Sequence, residues 1–216
     1  MNQVYFDDLG AFDDWGIYLS SFSIGDAPVK ENFIDIPSGD GALDLTEALR
    51  GEVSYGNRPF EARFTIKPPR SAWPSLLDEI RAFLNGRKRK IRVKDVPGYY
   101  LIGRCSTSFE IDGVLGILKV SATCEPWKYK NSPTVHNLTI GASGVLDVNL
   151  TNSRKRVIPT ITNSAEINIK FGSISRTVSA GTHRLTNIIL TEGDNQMTIS
   201  GASGTTVNIE YQEGAL

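Results

Sequence analysis

A chain of 216 residues is long enough for two domains of ordinary size, and its 40% hydrophobic and 22% charged residues are typical of a folded, water-soluble protein. The net charge of −1 excludes an overall field that would attract nucleic acid or an anionic membrane. The sequence contains neither a signal-peptide pattern nor a run of roughly 20 apolar residues, so we expect synthesis in the cytoplasm and no membrane partner.

The first 35 residues alternate apolar residues with acidic pairs, Asp7-Asp8 and Asp13-Asp14. Because aspartate favours turns, this pattern predicts short strands joined at exposed acidic corners. Paired aspartates are also candidate metal ligands, but the spaced ligand loop of a calcium-binding hand is absent. We therefore predict turns here and no metal site.

A turn, a helical segment and a strand are predicted next. Two glycines flank an aspartate in Gly39-Asp40-Gly41, which predicts a turn because glycine adopts positive φ without steric cost. Asp44 or Thr46 is positioned to cap a short helical turn within residues 43–49. After a second turn at residues 55–59, apolar and polar residues alternate over residues 60–66, as in a half-buried strand.

Residues 71–86 have the pattern of a helix that covers a sheet. Ser71 is a candidate cap, Pro74 suits the first turn, and Asn85-Gly86 provides the stop. The apolar residues recur at helical spacing and form one face. They are Trp73, Leu76, Leu77, Ile80, Phe83 and Leu84.

Six basic residues in the next eight positions form the strongest local charge feature: Arg87, Lys88, Arg89, Lys90, Arg92 and Lys94. One interpretation is a contact with DNA phosphates. The other is a strand whose Ile91 and Val93 point inward while the cations face solvent, an acidic neighbour or another subunit. No aromatic residue interleaves the run as a base-stacking platform requires, which favours the strand.

A long hairpin is predicted about Asp112-Gly113. In that register Cys105 faces Val120 and Cys124 faces Leu101, which separates the two cysteines by roughly 13 Å along the strands. That distance is too long for a disulfide, so we predict two free thiols.

The hairpin and the helix predict an α+β domain over residues 1–130, with one helix on an antiparallel sheet. From residue 131 to 216 the chain is rich in Thr, Ser, Asn and Gly, and short alternating runs predict a β-sandwich. The fold class is therefore mainly β. The predicted sandwich strands are residues 136–140, 146–150, 157–161, 167–171, 174–178, 183–190, 197–199 and 207–211, with a turn at 191–195.

Motifs for catalysis are scarce. His136 and His183 fall in predicted strands without a partner motif, and the sequence contains no nucleophile elbow, phosphate loop or zinc spacing. Two carboxylate pairs, Asp40 with Asp44 and Glu47 with Glu52, leave open a glycosidase-like site whose separation the sequence cannot give. Turns and caps explain the same residues more simply, so we assign no catalytic residue and no cofactor.

Sugar binding by the sandwich is an alternative function. Carbohydrate modules use exposed aromatic rings as platforms for the sugar. After residue 130 the aromatic residues are Phe171 and Tyr211, on strands whose neighbours point inward, and no Trp is present.

The residue order around the first turn resembles the distal tail protein family of long-tailed, non-contractile bacteriophages. The resemblance is carried by a Pro-x-Gly-Asp-Gly turn at Gly39, Asp40 and Gly41, a Leu-Asp-Leu-Thr-Glu segment at Asp44, and a Gly-Glu-Val-x-Tyr-x-Asn-Arg segment that ends at Arg58. It continues in residues 73–86, 97–104 and 124–129 and covers about the first 130 residues. Ser38 and Asp40 depart from the family pattern, where a Gly and an Arg-Asp pair are common.

The resemblance implies a structural protein of the virion tail tip. The N-terminal domain would form a homohexameric ring that joins the tail tube protein to the tail-tip hub, or tail-associated protein, with a galectin-like sandwich projecting toward receptor-binding proteins. The alternative is a carbohydrate-binding or adhesin module that recognises a cell-surface glycan. No cofactor and no sequence-specific nucleic-acid partner is implied.

A closed ring requires two different surfaces that are complementary to each other. We expect them on the long hairpin, on the basic run at Arg87, Lys88, Arg89, Lys90, Arg92 and Lys94, and on the acidic corners at residues 7–8 and at Asp13 and Asp14.

Overall fold

The structure is a computed structural model that describes residues 3–48 and 51–216. Within these residues β-strands predominate and one α-helix is present, which confirms the mainly β class. The chain divides into two compact units, Met1–Lys128 and Tyr129–Ala215.

The first unit contains nine strands and the helix in the part of the chain that is described. The strands are β1 (Val4–Phe6), β2 (Leu9–Gly10), β3 (Ile17–Ile24), β4 (Phe33–Asp35), β5 (Ala42–Asp44), β6 (Arg58–Ile66), β7 (Lys88–Val93), β8 (Tyr99–Asp112) and β9 (Leu115–Cys124). A 3-10 turn, Arg70–Ala72, leads into α1 (Trp73–Leu84).

Seven of these strands form an antiparallel sheet in the order β2-β1-β7-β8-β9-β6-β3. In a flat sheet β1 and β6 would lie about 19 Å apart, at about 4.8 Å per strand. The rings of Phe6 on β1 and Phe64 on β6 have centroids only 6.4 Å apart. The sheet is therefore strongly curved around its apolar face.

Strand β6 shows why the sheet has one apolar face. Phe60, Ala62, Phe64 and Ile66 are buried, whereas Glu61 and Arg63 between them are exposed. The alternation predicted over residues 60–66 is confirmed.

Helix α1 covers the apolar face of this sheet, as predicted. It buries Trp73, Leu77, Ile80 and Leu84, and it ends at Asn85 because Gly86 adopts a φ of +72°. The predicted cap at Ser71 is wrong. Ser71 lies inside the 3-10 turn, and Ala72 precedes the helix without a side-chain capping bond.

The predicted register of the long hairpin is wrong by two residues. Asp112 pairs with Leu115, so the turn residues are Gly113 and Val114 rather than Asp112 and Gly113. Gly113 has a φ of +60°, and a glycine at the first turn position is typical of a type II′ hairpin. As a result, Cys105 pairs with Ala122 and Cys124 pairs with Gly103.

Both cysteines are free and buried, which confirms the predicted thiols. Burial raises the pKa of Cys105 to about 11 and that of Cys124 to about 12. Because the thiolate is the reactive form, we expect native labelling at pH 8 to be at least about 100-fold slower than labelling in denaturant. Stopped labelling followed by mass spectrometry measures both rates, and equal rates would contradict the burial.

The second unit begins within β10 (Lys128–Lys130), which pairs with the last strand. Its other strands are β11 (Thr134–Thr139), β12 (Val145–Asn152), β13 (Thr160–Asn163), β14 (Ile167–Phe171), β15 (Ile174–Val178), β16 (Gly181–His183), β17 (Gly193–Gly201), β18 (Thr206–Tyr211) and β19 (Gly214–Ala215). Two antiparallel sheets, β11-β18-β13-β16 and β12-β17-β14-β15, enclose one apolar core. The predicted β-sandwich is confirmed.

Two details of the predicted sandwich are wrong. Residues 183–190 do not form a strand; β16 stops at His183 and only Leu190 makes an isolated bridge, to Val157. The predicted turn at 191–195 overlaps β17. Asn195 pairs with Leu150 in the sheet, and its buried side chain also accepts from the Thr191 amide (2.9 Å) and donates to the Leu150 carbonyl oxygen (3.1 Å).

A buried carboxylate ties the two ends of the second unit together. Glu213 is 4% exposed. It accepts hydrogen bonds from Lys130 Nζ, Thr134 Oγ1 (2.5 Å) and Ser153, from both its amide (3.0 Å) and its Oγ (2.6 Å). Burial alone would raise the pKa of Glu213, but the hydrogen bonds from Lys130, Ser153 and Thr134 together lower it.

We predict that Glu213→Gln lowers the free energy of unfolding by about 1.5–3 kcal/mol at pH 7, since charged hydrogen bonds are lost. Because its folded pKa is lowered, the stabilisation by Glu213 is complete above the ordinary value of 4.5 and is lost as the pH falls through the folded value. Urea unfolding between pH 7 and pH 3 measures both effects. Exposed Glu210→Gln on β18 is the control, and equal losses in the two variants would contradict the role of Glu213.

Candidate assembly interface

The segment between β3 and β6, which we call the arm, lies outside the main sheet. In its described residues, β4 and β5 pair with each other as a separate two-stranded sheet. The chain reverses between them at Ser38 (φ +63°) and Gly41 (φ +78°), where the Gly39 amide donates to the Ile36 carbonyl oxygen. The turn predicted at Gly39-Asp40-Gly41 is confirmed.

Asp44 is the last residue of β5, and its carboxylate accepts from the Thr46 amide (2.8 Å). A turn at residues 46–48 follows the strand, so residues 43 and 44 of the predicted helical segment belong to β5 instead. Residue 49, which the prediction included, lies outside the described residues.

The arm exposes apolar side chains that its own unit does not cover. Ile34 and Leu43 face each other across the two strands and are 51% and 52% exposed. Val29, Phe33 and Ile36 are exposed to a similar degree. A two-stranded hairpin is at best marginally stable in water, and several exposed apolar side chains on one short segment are typical of an interaction site.

The base of the arm is fixed by residues from two segments that carry the resemblance. Arg58 is 3% exposed, and its Nε donates to the Pro126 carbonyl oxygen (2.8 Å). The ring of Tyr55 meets Trp127 edge to face, with centroids 5.6 Å apart. The segments around Arg58 and Trp127 are distant in sequence, and here they form one clamp.

The basic run forms β7, and Ile91 and Val93 are buried as predicted. Arg89 donates to Asp7 (2.8 Å) and to the carbonyl oxygen of Phe83, whose ring it also covers at 3.7 Å.

The neighbouring cations also have contacts inside the first unit. Lys88 pairs with Glu125 (2.7 Å), Lys90 lies over the Tyr100 ring, and Arg92 lies over the Tyr5 ring. Arg87 and Lys94 are exposed at the two ends of the run.

The acidic corners make local bonds. The Asp7 carboxylate accepts from Arg89 and from the Lys90 amide (2.8 Å), so this corner lies against the basic run of its own chain. Asp13 accepts from Gln3 Nε2 (2.7 Å), and Asp14 accepts from the Gly10 amide (2.6 Å).

The polar face of β8, β9, β6 and β3 is rich in serine, and we call it the serine face. Two rows cross it in register: Ser21-Arg63-Lys119-Ser108 and Ser23-Glu61-Ser121-Ser106. Glu110 bridges Arg63 (2.5 Å) and Lys119 (3.1 Å) on this face. No sequence motif distinguishes these residues from the rest of the strands that carry them.

Two edges of these four strands are available for pairing in the described part of the unit. Strand β3 ends the sheet and pairs with β6 on one side only. Strand β7 pairs with β8 as far as Arg104, so residues 108–112 of β8 pair only with β9. The tip of the hairpin exposes Ile111, Val114 and Leu115.

The residues considered for sugar binding or catalysis serve the fold. Tyr211 is 3% exposed and donates to the Thr151 carbonyl oxygen, and Phe171 packs against the sandwich core. His136 stacks on Tyr211, and His183 Nε2 lies 2.7 Å from the Ser179 carbonyl oxygen.

Hydrogen bonds from Thr46 lower the pKa of Asp44, whereas a glycosidase acid needs a raised pKa. Among the described residues there is no cluster of three or more His, Cys, Asp or Glu side chains that could hold a metal. No helix in that part of the chain is long and apolar enough to cross a membrane.

The whole chain has the fold of a phage distal tail protein, as the resemblance implies. One solved structure that shares it is the SPP1 Dit (gp 19.1) protein, described as a paradigm of the hub adsorption apparatus in phages that infect Gram-positive bacteria. The alignment covers 98% of this chain and 99% of that chain, with a TM-score of 0.69 and 13% sequence identity. No protein-family model and no curated protein sequence matches the chain.

Proposed function

We propose that this protein is a structural distal tail protein of a long-tailed, non-contractile phage or prophage, located at the virion tail tip. The N-terminal domain, residues 1–130, forms a ring of six copies between the tail tube protein and the tail-tip hub, or tail-associated protein. The C-terminal galectin-like sandwich, residues 131–216, projects toward receptor-binding proteins. The observation that carries the proposal is the likeness in fold over 98% of the chain.

The exposed arm supports assembly with further copies. Its apolar residues are buried if the arm packs on a neighbouring copy, which also stabilises a hairpin that is marginal alone. Charge favours the same contact. Residues 26–57 contain seven acidic and two basic residues, whereas residues 58–128 contain seven acidic and fourteen basic residues. An acidic arm and a basic body are complementary between neighbours.

The two sheet edges support closure into a ring. Strands β8, β9, β6 and β3 alternate in direction, so β8 and β3 run in opposite directions. Copies related by rotation about an axis therefore place the β3 edge of one copy antiparallel to the β8 edge of the next. Such a contact joins two different surfaces, as ring closure requires.

We propose that the exposed Arg87 and Lys94 are the residues of the basic run that contact a neighbouring copy. Within the same run Lys88, Arg89, Lys90 and Arg92 hold β7 in its own unit. Asp13 and Asp14 remain candidate contacts of the opposing surface.

Static light scattering of the purified full chain tests the proposal. We expect the measured mass to rise with protein concentration and to reach a plateau at six times the mass of one copy. A single-copy mass across a wide concentration range would contradict the ring.

A further inference from the structure

The two-stranded sheet of the arm has two faces, and one of them forms a groove. Ile34 and Leu43 pair on one face, so the neighbouring pair, Phe33 and Asp44, points to the other. On that side lies a groove of about 480 Å³. Its described lining residues are Val29, Glu31, Phe33, Asp44, Thr46, Glu47, Ala48 and Val53.

The groove combines apolar side chains with negative charge. Three of its described lining residues carry carboxylates, and none of them carries a positive charge. Backbone bonds hold its frame, since the Lys30 amide donates to the Ser54 carbonyl oxygen (2.8 Å) and the Leu45 amide donates to that of Asn32 (2.8 Å). The groove therefore suits an apolar segment that carries cations.

The turn between β6 and α1 has the opposite charge. We call it the basic turn, and it consists of Lys67, Pro68, Pro69 and Arg70. Lys67 lies over the rings of Phe12 and Tyr18, and Arg70 lies over the ring of Trp73. Both cations are exposed, and within the described part of the chain neither forms an ion pair. Their charges are therefore available to a partner.

The basic turn is also rigid. Proline fixes φ at two successive positions. The Pro68 carbonyl oxygen accepts from the indole Nε1 of Trp73 (2.8 Å), and the Pro69 carbonyl oxygen accepts from the Ala72 amide (2.8 Å). A segment that is already ordered loses little conformational freedom on binding, which favours affinity.

Other exposed surfaces of the first unit fit the groove less well. The hairpin tip exposes Val114, but Asp112 beside it has the same charge as the groove. Arg87 has no apolar neighbour in the sequence, and Lys94 is followed by Asp95. The basic turn is not among the described residues that line the groove of its own chain, so the occupant belongs to another copy.

We propose that the groove on the arm of one copy receives the basic turn of the next copy in the ring. This inference rests on the proposed ring. The cations of Lys67 and Arg70 then lie among the three carboxylates of the groove, and the two prolines cover its apolar side chains. Opposite charges at such a contact select the partner and set its orientation.

The test reverses the charge on each side of the contact. The turn variant carries Lys67→Glu and Arg70→Glu, and the groove variant carries Glu31→Lys and Glu47→Lys. All four residues are exposed, so folding should be unaffected and the circular dichroism spectra should match wild type. Like charges then face each other across the contact. We expect light scattering to show that half-assembly requires a concentration at least about tenfold higher in either variant.

A chain with all four substitutions restores the attraction with the charges exchanged, and it should assemble as wild type does. The control carries Lys170→Glu and Arg176→Glu, which reverse two exposed cations of the sandwich. This control has the same change in net charge as the turn variant. It should leave assembly unchanged, and adding its two substitutions to the groove variant should not restore the ring.

The outcomes separate the two proposals. If wild type forms no ring, the proposed function and this inference both fall. If the ring forms and either reversal leaves assembly unchanged, or the four substitutions together fail to restore it, the inference alone is overturned. A sandwich control that weakens assembly as much as the turn variant would overturn it too, because net charge would then be the cause.

Discussion

A chain carrying Ile34→Asp and Leu43→Asp is expected to remain folded but to stay a single copy. The two side chains face each other on the arm and are about half exposed, so the first unit does not depend on them for its core. In the ring they would be buried against a neighbour, where unpaired carboxylates are costly. Light scattering should therefore show a fall from six copies to one, with an unchanged circular dichroism spectrum.

The control for the arm variant is Val135→Asp. Val135 is 44% exposed on β11 of the sandwich, so the substitution has similar chemistry at a position that we place outside the ring. It should leave the mass at six copies. A ring that survives both arm substitutions would show that the arm is not the contact between copies.

Replacement of Arg58 by Met is expected to lower the free energy of unfolding by about 2–4 kcal/mol. The guanidinium is 3% exposed, and its loss leaves the Pro126 carbonyl oxygen without the charged donor that now lies 2.8 Å away. The clamp at the base of the arm should open, so assembly should weaken together with stability. Urea unfolding monitored by far-ultraviolet circular dichroism measures the loss of stability.

Arg63→Met on the same strand is the matched control for stability. Arg63 faces solvent and pairs with exposed Glu110, so its loss should cost less than about 1 kcal/mol. Similar losses for Arg58→Met and Arg63→Met would mean that the buried clamp contributes no more than a surface ion pair.

Local pattern was sufficient to predict much of the first unit. Apolar residues recur at every second position along β6 and at helical spacing along α1. Each of these repeats places the apolar side chains on one face of its element, and that face is buried. The turn at Gly39-Asp40-Gly41 followed from glycine alone. The predicted hairpin register is wrong because Asp112-Gly113 and Gly113-Val114 are both plausible turns with a positive φ at Gly113, and only the pairing of Asp112 with Leu115 distinguishes them.

Contacts between distant residues could not be predicted from the sequence. The sequence makes both Asp7 and Arg89 candidates for the contact between copies, but the pairing of β1 with β7 brings them together in one chain. In the sequence Glu110 is an ordinary charged strand residue, and only the pairing of β6, β9 and β8 brings Arg63 and Lys119 next to it. Charge patterns identify which residues can pair, whereas the sheet order decides which of them do.

Electron microscopy of the purified full chain, averaged without imposed symmetry, tests the central claim most directly. We predict end-on views of a closed ring with sixfold symmetry. Particles of one or two copies would contradict it.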